Sequence, residues 1–414
     1  MKKQIKTKGI SLIVLVITII VMIILAGAII ISLTNGNVIT KSKEARNKIN
    51  MSSYKDKWNV AYSSVLSDNV GIAPTDAQVL TAFGEVPTDY LVNSSAIIYT
   101  GLDNLILQHA YDIGLDTRIP KGFYYVGGTI ATGIVISDDS ADSNKGDTST
   151  TLVGNQFVWI PVNNMSEFYR VSDFNTFSAI ATGTSYNGSS EQLEYNKMLE
   201  SVKKYNGFYI ARYEAGKNVS TAPLVDGSVK PLSIQGKYAW NNIKFDDAYV
   251  SGYGDSTHNG IVKVSRSMYP DTNNYLTYGY SSLPSNTTNA ISTLMYGEQW
   301  DATMRYIQNI TNANASGAKF ILNSTLMGNY TQTIANTGSS SSYKVNNIYD
   351  LAGNIMEYTM ETYSGGMPGD DCRAARGGGY TSDGVNIPAR YRTGFPPNPN
   401  PVGYTGFRVA LYIK

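Results

Sequence analysis

Asp350-Leu351-Ala352-Gly353-Asn354-Ile355-Met356-Glu357 is the stretch on which the reading of the fold turns. After it come Arg376-Gly377-Gly378-Gly379-Tyr380, then Ala389-Arg390-Tyr391-Arg392, and the series closes on Gly406-Phe407-Arg408-Val409-Ala410. Upstream, two runs have the composition of buried strands, Gln156-Phe157-Val158-Trp159-Ile160-Pro161-Val162 and Gly207-Phe208-Tyr209-Ile210-Ala211-Arg212-Tyr213-Glu214. Gly122 to Gly128 reads as a strand entering a turn.

Composition narrows the function classes. The chain has 414 residues, a net charge of +1 and only 16% charged residues. That length supports one large domain plus an attachment segment. Without a basic stripe, a nucleic-acid partner is not expected. The 31 tyrosines sit among abundant Asn, Ser, Thr and Gly. Such a mixture suits recognition surfaces, and equally the Tyr-rich strands of an extracellular domain. Cys372 is the single cysteine, so no intrachain disulfide exists and stability comes from packing. Two histidines, His109 and His258, are too few for a multi-histidine metal site.

Residues 10–33 carry no charge, and Lys2, Lys3, Lys6 and Lys8 precede them. A helix needs about 20 apolar residues to cross a bilayer. The positive flank then places the N-terminus in the cytosol and the bulk of the chain outside the cell. Lys8-Gly9-Ile10-Ser11-Leu12-Ile13 resembles the leader junction of type IV prepilins. The resemblance implies cleavage by a prepilin peptidase between Gly9 and Ile10, with pilus subunits as further partners. Most pilins carry Glu at the fifth residue after the cut, where this chain has Val14. Residues 34–66 read as a stalk helix, with Ile49, Trp58, Tyr62 and Val65 approximating an apolar stripe. Residues 67–150 form a connecting region, separate or part of the main domain. Within it, 137–149 is a polar loop with four aspartates, read as an ordinary solvated loop because its spacing fits no standard calcium loop, with calcium binding as the alternative.

In order and spacing, the C-terminal series resembles the formylglycine-generating-enzyme (sulfatase-modifying-factor) family, whose fold is a variant of the C-type lectin fold. The two strand patterns resemble that family's opening strands. Gly297-Glu298-Gln299-Trp300-Asp301-Ala302-Thr303-Met304-Arg305-Tyr306 resembles its core helix. The fold class implied is α+β, a lectin-like domain over 151–414 behind the transmembrane helix. The Gly-, Ser- and Asn-rich stretches near 181–190, 251–260 and 336–342 are then surface loops.

The enzymes of the family use a copper-bound pair of cysteines after the Arg-Gly-Gly string. Ser382 and Ile387 hold the matching positions here, and neither can replace a soft thiolate for copper(I). No copper and no enzyme activity are therefore expected. The resemblance also implies a structural calcium held by Asp350, the carbonyls of Gly353 and Ile355, and Glu357. The alternative is a loop folded without metal, with Asn354 and Glu357 capping backbone groups. Arg376 and Arg408 are expected to pair with buried carboxylates or carbonyls.

Residues 379–407 also resemble the variable region of target proteins of diversity-generating retroelements. Those systems randomise adenines, chiefly in Asn codons, and changing the first two bases of such a codon cannot yield Lys, Met, Trp, Glu or Gln. None of these five occurs between Gly379 and Phe407. The expected ligand contacts are Tyr380, Thr381, Ser382, Asp383, Val385, Asn386, Phe395, Asn398, Asn400 and Tyr404. The sequence thus describes a membrane-anchored surface protein that binds an extracellular protein or glycan. A structural pilin with a decorating domain is the alternative, and an enzyme of the formylglycine-generating type the third.

Overall fold

The computed structural model describes residues 37–87, 90–92, 94, 97–99, 118–129, 132–174, 178–179, 189–218, 230–245, 260–273, 285–311, 320–363, 372–395 and 403–414. The Gly9–Ile10 junction, the uncharged run 10–33, Asn398 and Asn400 lie outside the described residues. Among the described residues, no helix is long and apolar enough to cross a membrane.

The described chain opens on a long helix, α1 (Asn37–Asp68). A short helix, α2 (Asp76–Phe83), and a hairpin of β1 (Tyr90–Val92) and β2 (Ile97–Tyr99) follow. Tyr54, Trp58 and Ala61 share one face of α1 by helical spacing and pack with Phe83, Tyr90 and Ile97. Ile49, which the sequence placed on that stripe, is 69% exposed. Thr75 caps α2: its hydroxyl accepts the Gln78 N–H while the Gln78 side chain accepts the Thr75 N–H. This reciprocal pair satisfies two backbone donors that the first turn leaves free.

The larger unit contains β3 (Tyr124–Gly127), β4 (Val135–Ser137), β5 (Gln156–Pro161), the hairpin β6 (Val171–Asp173) and β7 (Ser178–Ala179), α3 (Ser189–Tyr205), β8 (Gly207–Ala211), β9 (Gly216–Lys217), β10 (Tyr238–Ala239), α4 (Ile261–Ser267) and β11 (Ala290–Leu294). It continues with α5 (Gly297–Thr311), β12 (Lys344–Val345), β13 (Ile348–Tyr349), β14 (Met356–Thr362), β15 (Arg373–Arg376), β16 (Arg392–Phe395), β17 (Thr405–Phe407) and β18 (Val409–Ile413). The architecture is mixed α+β. Six strands pair antiparallel in the order β11-β18-β8-β5-β4-β3. Strands β8, β11 and β18 are buried along their whole length; β8 and β18 accordingly read as apolar runs rather than alternating ones, while β11 buries Ser292 and Thr293 as well. Because β3 and β4 pair into this sheet through β5, the domain begins ahead of residue 151 and takes in the end of the connecting region.

A second sheet runs β16-β15-β14-β17, with β14 and β17 parallel. Helix α5 lies against both sheets' shared core through Trp300, Met304 and Ile307. Helix α3 buries Tyr195, Met198, Val202 and Tyr205, and also Glu191 and Glu194. Those carboxylates pair with Arg373 at 2.9 Å and Arg266 at 2.6 Å. The 137–149 loop is not simply solvated. Asp142 is fully buried and accepts hydrogen bonds from Ser137 Oγ and from the N–H groups of Val153 and Gly154. It supplies the backbone partners that a sheet would otherwise provide.

Candidate functional site

Strand β15 ends at Arg376, and the chain leaves the sheet over 377–391 before returning as β16. The backbone of this excursion is tied to its surroundings. Tyr380 N–H donates to Asn354 O at 2.7 Å, and Tyr380 O accepts from Gln332 N–H at 3.0 Å. Ser324 N–H donates to Gly384 O at 2.8 Å. A Cβ on Gly384 would come within 2.3 Å of Thr325 N, so only glycine allows that approach. Farther on, Ala389 O accepts from Trp300 Nε1 at 3.1 Å, and Ile387 O from the Tyr330 hydroxyl at 3.1 Å.

The side chains sort into those turned in and those turned out. Thr381, Asp383, Val385 and Asn386 are exposed. Asp383 nevertheless spends its carboxylate on its own turn: Oδ1 accepts from Val385 N–H and Asn386 N–H, and Oδ2 from Asn386 Nδ2. The Asn386 N–H, with the other donors, holds this carboxyl below its ordinary range. Ser382 Oγ accepts from Gly379 N–H at 3.1 Å. Thr381 and Val385 are left facing outward.

Phe395 packs on the core, its ring 6.0 Å from that of Tyr358 and 6.2 Å from that of Tyr404. Tyr380 is half-buried, and its hydroxyl would lie 3.8 Å from a Cβ on Gly403. The structure thus gathers the described contact candidates into an outward loop, 381–386, and an inward aromatic group, Tyr380, Phe395 and Tyr404. Two neighbours escaped sequence reading. Leu326 is 87% exposed beside the Ser324–Gly384 hydrogen bond. Asn241 donates through Nδ2 to Gly403 O at 2.7 Å. Neither sits in a periodic segment, so no local signal marks them.

A buried ion-pair network lies under the loop. Arg376 reaches Asp301 at 2.5 Å and Glu361 at 3.3 Å. Arg392 reaches Asp301 and Glu361 at 2.8 Å each, and Arg170 reaches Glu361 at 3.4 Å. It couples β14, β15 and β16 to α5. Burial lowers the affinity of Arg376 for its proton, and the neighbouring Arg392 adds to that. For Arg392, burial acts the same way, but Asp301 and Glu361 outweigh it and its pKa is raised.

The 350–357 loop has a cation of its own. Arg408 donates from Nε and Nη2 to both oxygens of Glu357, at 2.6–3.1 Å, from Nη1 to Ala211 O and from Nη2 to Tyr349 O. Asp350 Oδ2 accepts from Gly338 N–H at 2.6 Å. Asn354 bonds to Asn329, to Ala335 and to the carboxylate of Glu214. Gly353 has φ +73°, and a Cβ there would meet Asn329 O at 2.4 Å. Among the described residues, no group of three or more His, Cys, Asp or Glu side chains is placed to hold a metal. Of the ligands implied for calcium, Glu357 is paired with Arg408 at 2.6 Å. That carboxylate is already engaged by a guanidinium, whose charge would repel a dication. Asn354 caps the backbone of Ala335, while Glu357 pairs with Arg408 rather than capping backbone.

Three buried carboxyls share that one guanidinium. Burial, then Asp350 and Glu357, raise Glu214 well above its ordinary range. Burial pushes Asp350 up to about 7 against the opposing Gly338 hydrogen bond and Arg408. Both groups bind protons more tightly folded than unfolded. Their contribution is therefore full below the unfolded carboxyl range, about pH 4, and declines as pH rises above it, that of Asp350 being lost as pH passes through about 7. Each group contributes a slope of up to about 1.4 kcal/mol per pH unit. Urea unfolding from pH 5 to 8 should show stability falling with pH, and Glu214→Gln should flatten the slope. A slope unchanged in that variant would contradict the assignment. The profile should be the same in calcium and in chelator.

Ser382 and Ile387, the positions matching the enzymes' cysteines, carry a hydroxyl occupied by Gly379 N–H and an alkyl group packed on the core. Cys372 is buried.

No family model and no curated protein matches the chain. Distant structural matches cover half of it. Treponema denticola variable protein 1 overlays at 15% identity and a TM-score of 0.29, over 50% of this chain and 85% of that one. CarF overlays at 12% and 0.31, over 50% and 87% respectively. PvdO from Pseudomonas aeruginosa overlays at 13% and 0.29, over 50% and 82%. Overlays at this level carry no argument about what the chain binds.

Proposed function

We propose that the protein is a surface-displayed ligand-binding protein, anchored through residues 10–33, whose 381–386 loop and neighbouring side chains form the recognition surface. One observation carries this reading: a loop whose backbone is pinned to α5, to 320–325 and to 354, while Thr381 and Val385 point outward with no framework role. Rigid backbone with free side chains is the arrangement that lets a binding surface change without unfolding its support. The sequence resemblance to retroelement variable regions supports diversification at this surface. Ser382 and Ile387, standing where the enzymes carry thiols, support binding rather than catalysis.

The test is population sequencing of the locus. Substitutions are expected to concentrate at Thr381, Val385 and other outward positions of 379–407. Gly384, Ala389 and Arg392 should stay constant, because their space or charge is already committed. Substitutions spread evenly along the chain would end the diversification reading.

A further inference from the structure

We propose that the cavity between α3 and the end of β18 is a binding site for a small ligand carrying an oxyanion, a phosphate or a carboxylate. The cavity has a volume of about 350 Å³. That is the size of a small-molecule site. Lys197, Glu200, Ser201 and Lys204 line it together, because their spacing puts them on one face of α3. The end of β18 brings Tyr412 and Lys414, and the chain after α4 brings Asp271. None of these residues belongs to the 379–391 excursion, so the site is separate from the recognition surface.

The polar groups lining the cavity are mostly donors. Each lysine ammonium carries three N–H groups and no acceptor. Asp271 is buried, and its oxygens hold Lys197 at 2.9 Å and Lys414 at 3.1 Å, which leaves both ammoniums with N–H groups to spare. The Asn273 N–H donates to the same carboxylate at 3.2 Å, so Asp271 orients the lysines and has no oxygen left for a ligand. Ser201 Oγ accepts from the Ile413 N–H at 2.9 Å, and its own hydrogen is a further donor. Lys204 lies over the Tyr205 ring, 4.8 Å from the centroid, and among the described residues no carboxylate pairs with it. Glu200, exposed, is the one lining carboxylate that is not engaged by a described residue. Donors in excess over acceptors call for an acceptor-rich ligand, and negative charge on it strengthens each bond to an ammonium.

The experiment is calorimetric titration of the full chain, in uncharged detergent micelles at low salt, with inorganic phosphate, with glucuronate and with glucose. At least one of the two anions is expected to bind, and which one does distinguishes a phosphate ligand from a carboxylate one. Lys204→Gln should weaken that binding by about 5-fold, and Glu200→Gln should tighten it by a similar factor. Both side chains are exposed, so both variants should melt with the wild type. Lys55→Gln, an exposed lysine on α1, should leave the affinity unchanged. The proposal is overturned if neither anion binds, or if glucose binds as tightly as glucuronate. Affinity insensitive to both Lys204→Gln and Glu200→Gln, or weakened equally by Lys55→Gln, would overturn it as well.

Discussion

Replacing Asp301 by Ala is expected to lower the free energy of unfolding by about 3–5 kcal/mol, the range for removing one partner of a buried ion pair. Asp301 is fully buried and holds three donors: Arg376 at 2.5 Å, Arg392 at 2.8 Å and the Val171 N–H at 2.8 Å. Without it, Arg376, itself fully buried, keeps Glu361 at 3.3 Å and the carbonyls of Tyr391 and Arg390. Neither carbonyl neutralises a guanidinium in a low-dielectric interior. Arg392 retains Glu361 at 2.8 Å, so the damage centres on Arg376. Urea unfolding checks the magnitude, and a midpoint within error of the wild type would refute it. Replacing the charges together, as Asp301→Leu with Arg376→Met, should recover much of the loss, because apolar packing competes well with buried pairs. Recovery would show that the charges themselves are not what stabilises this part of the core.

How much of this was legible beforehand depends on the range of the signal. Gln156–Pro161 and Gly207–Ala211 announced themselves as strands because full burial leaves an unbroken apolar run. Gly297–Thr311 was marked by the Trp300-Asp301 segment. Helix α3 escaped, because Glu191 and Glu194 occupy buried positions of its stripe and turn an amphipathic pattern into a polar one. Their partners, Arg373 and Arg266, lie on β15 and α4, where no local periodicity links them to the helix. The same holds for Arg376 and Asp301, 75 residues apart.

At the loop, residue type pointed to binding chemistry but not to direction. Asp383 and Asn386 have the chemistry of ligand contacts, yet they form a turn. Leu326 has the chemistry of core, yet it is exposed. Which way a side chain faces in an irregular segment follows from its backbone dihedrals and distant partners, and neither has a period to read. The 350–357 stretch shows the same limit. The family resemblance implied metal ligands there, and nothing local in the stretch announced that Glu357 pairs with Arg408, more than 50 residues on.

Trp300→Ala is expected to lower stability by about 3–5 kcal/mol, as for other large aromatic truncations in cores. The indole is fully buried on α5. Its ring lies 3.3 Å from where a Cβ on Gly377 would be, and the Arg376 guanidinium carbon sits 5.5 Å from the ring centroid. Its Nε1–H donates to Ala389 O. Trp300 therefore touches the start of the 377–391 excursion and its end, which Asp301, one residue along, does not. Truncation removes the platform on which the loop closes. Hydrogen exchange should rise over 379–391 even where the rest of the chain stays folded. Trp300→Phe separates the two roles. It keeps most of the apolar volume and leaves the Ala389 carbonyl without its donor, a loss of about 1–3 kcal/mol. If Trp300→Phe matched Trp300→Ala in stability, the hydrogen bond to Ala389 would be the dominant tie. If it matched the wild type in exchange over 379–391, ring packing against Gly377 and Arg376 would be what holds the loop in place.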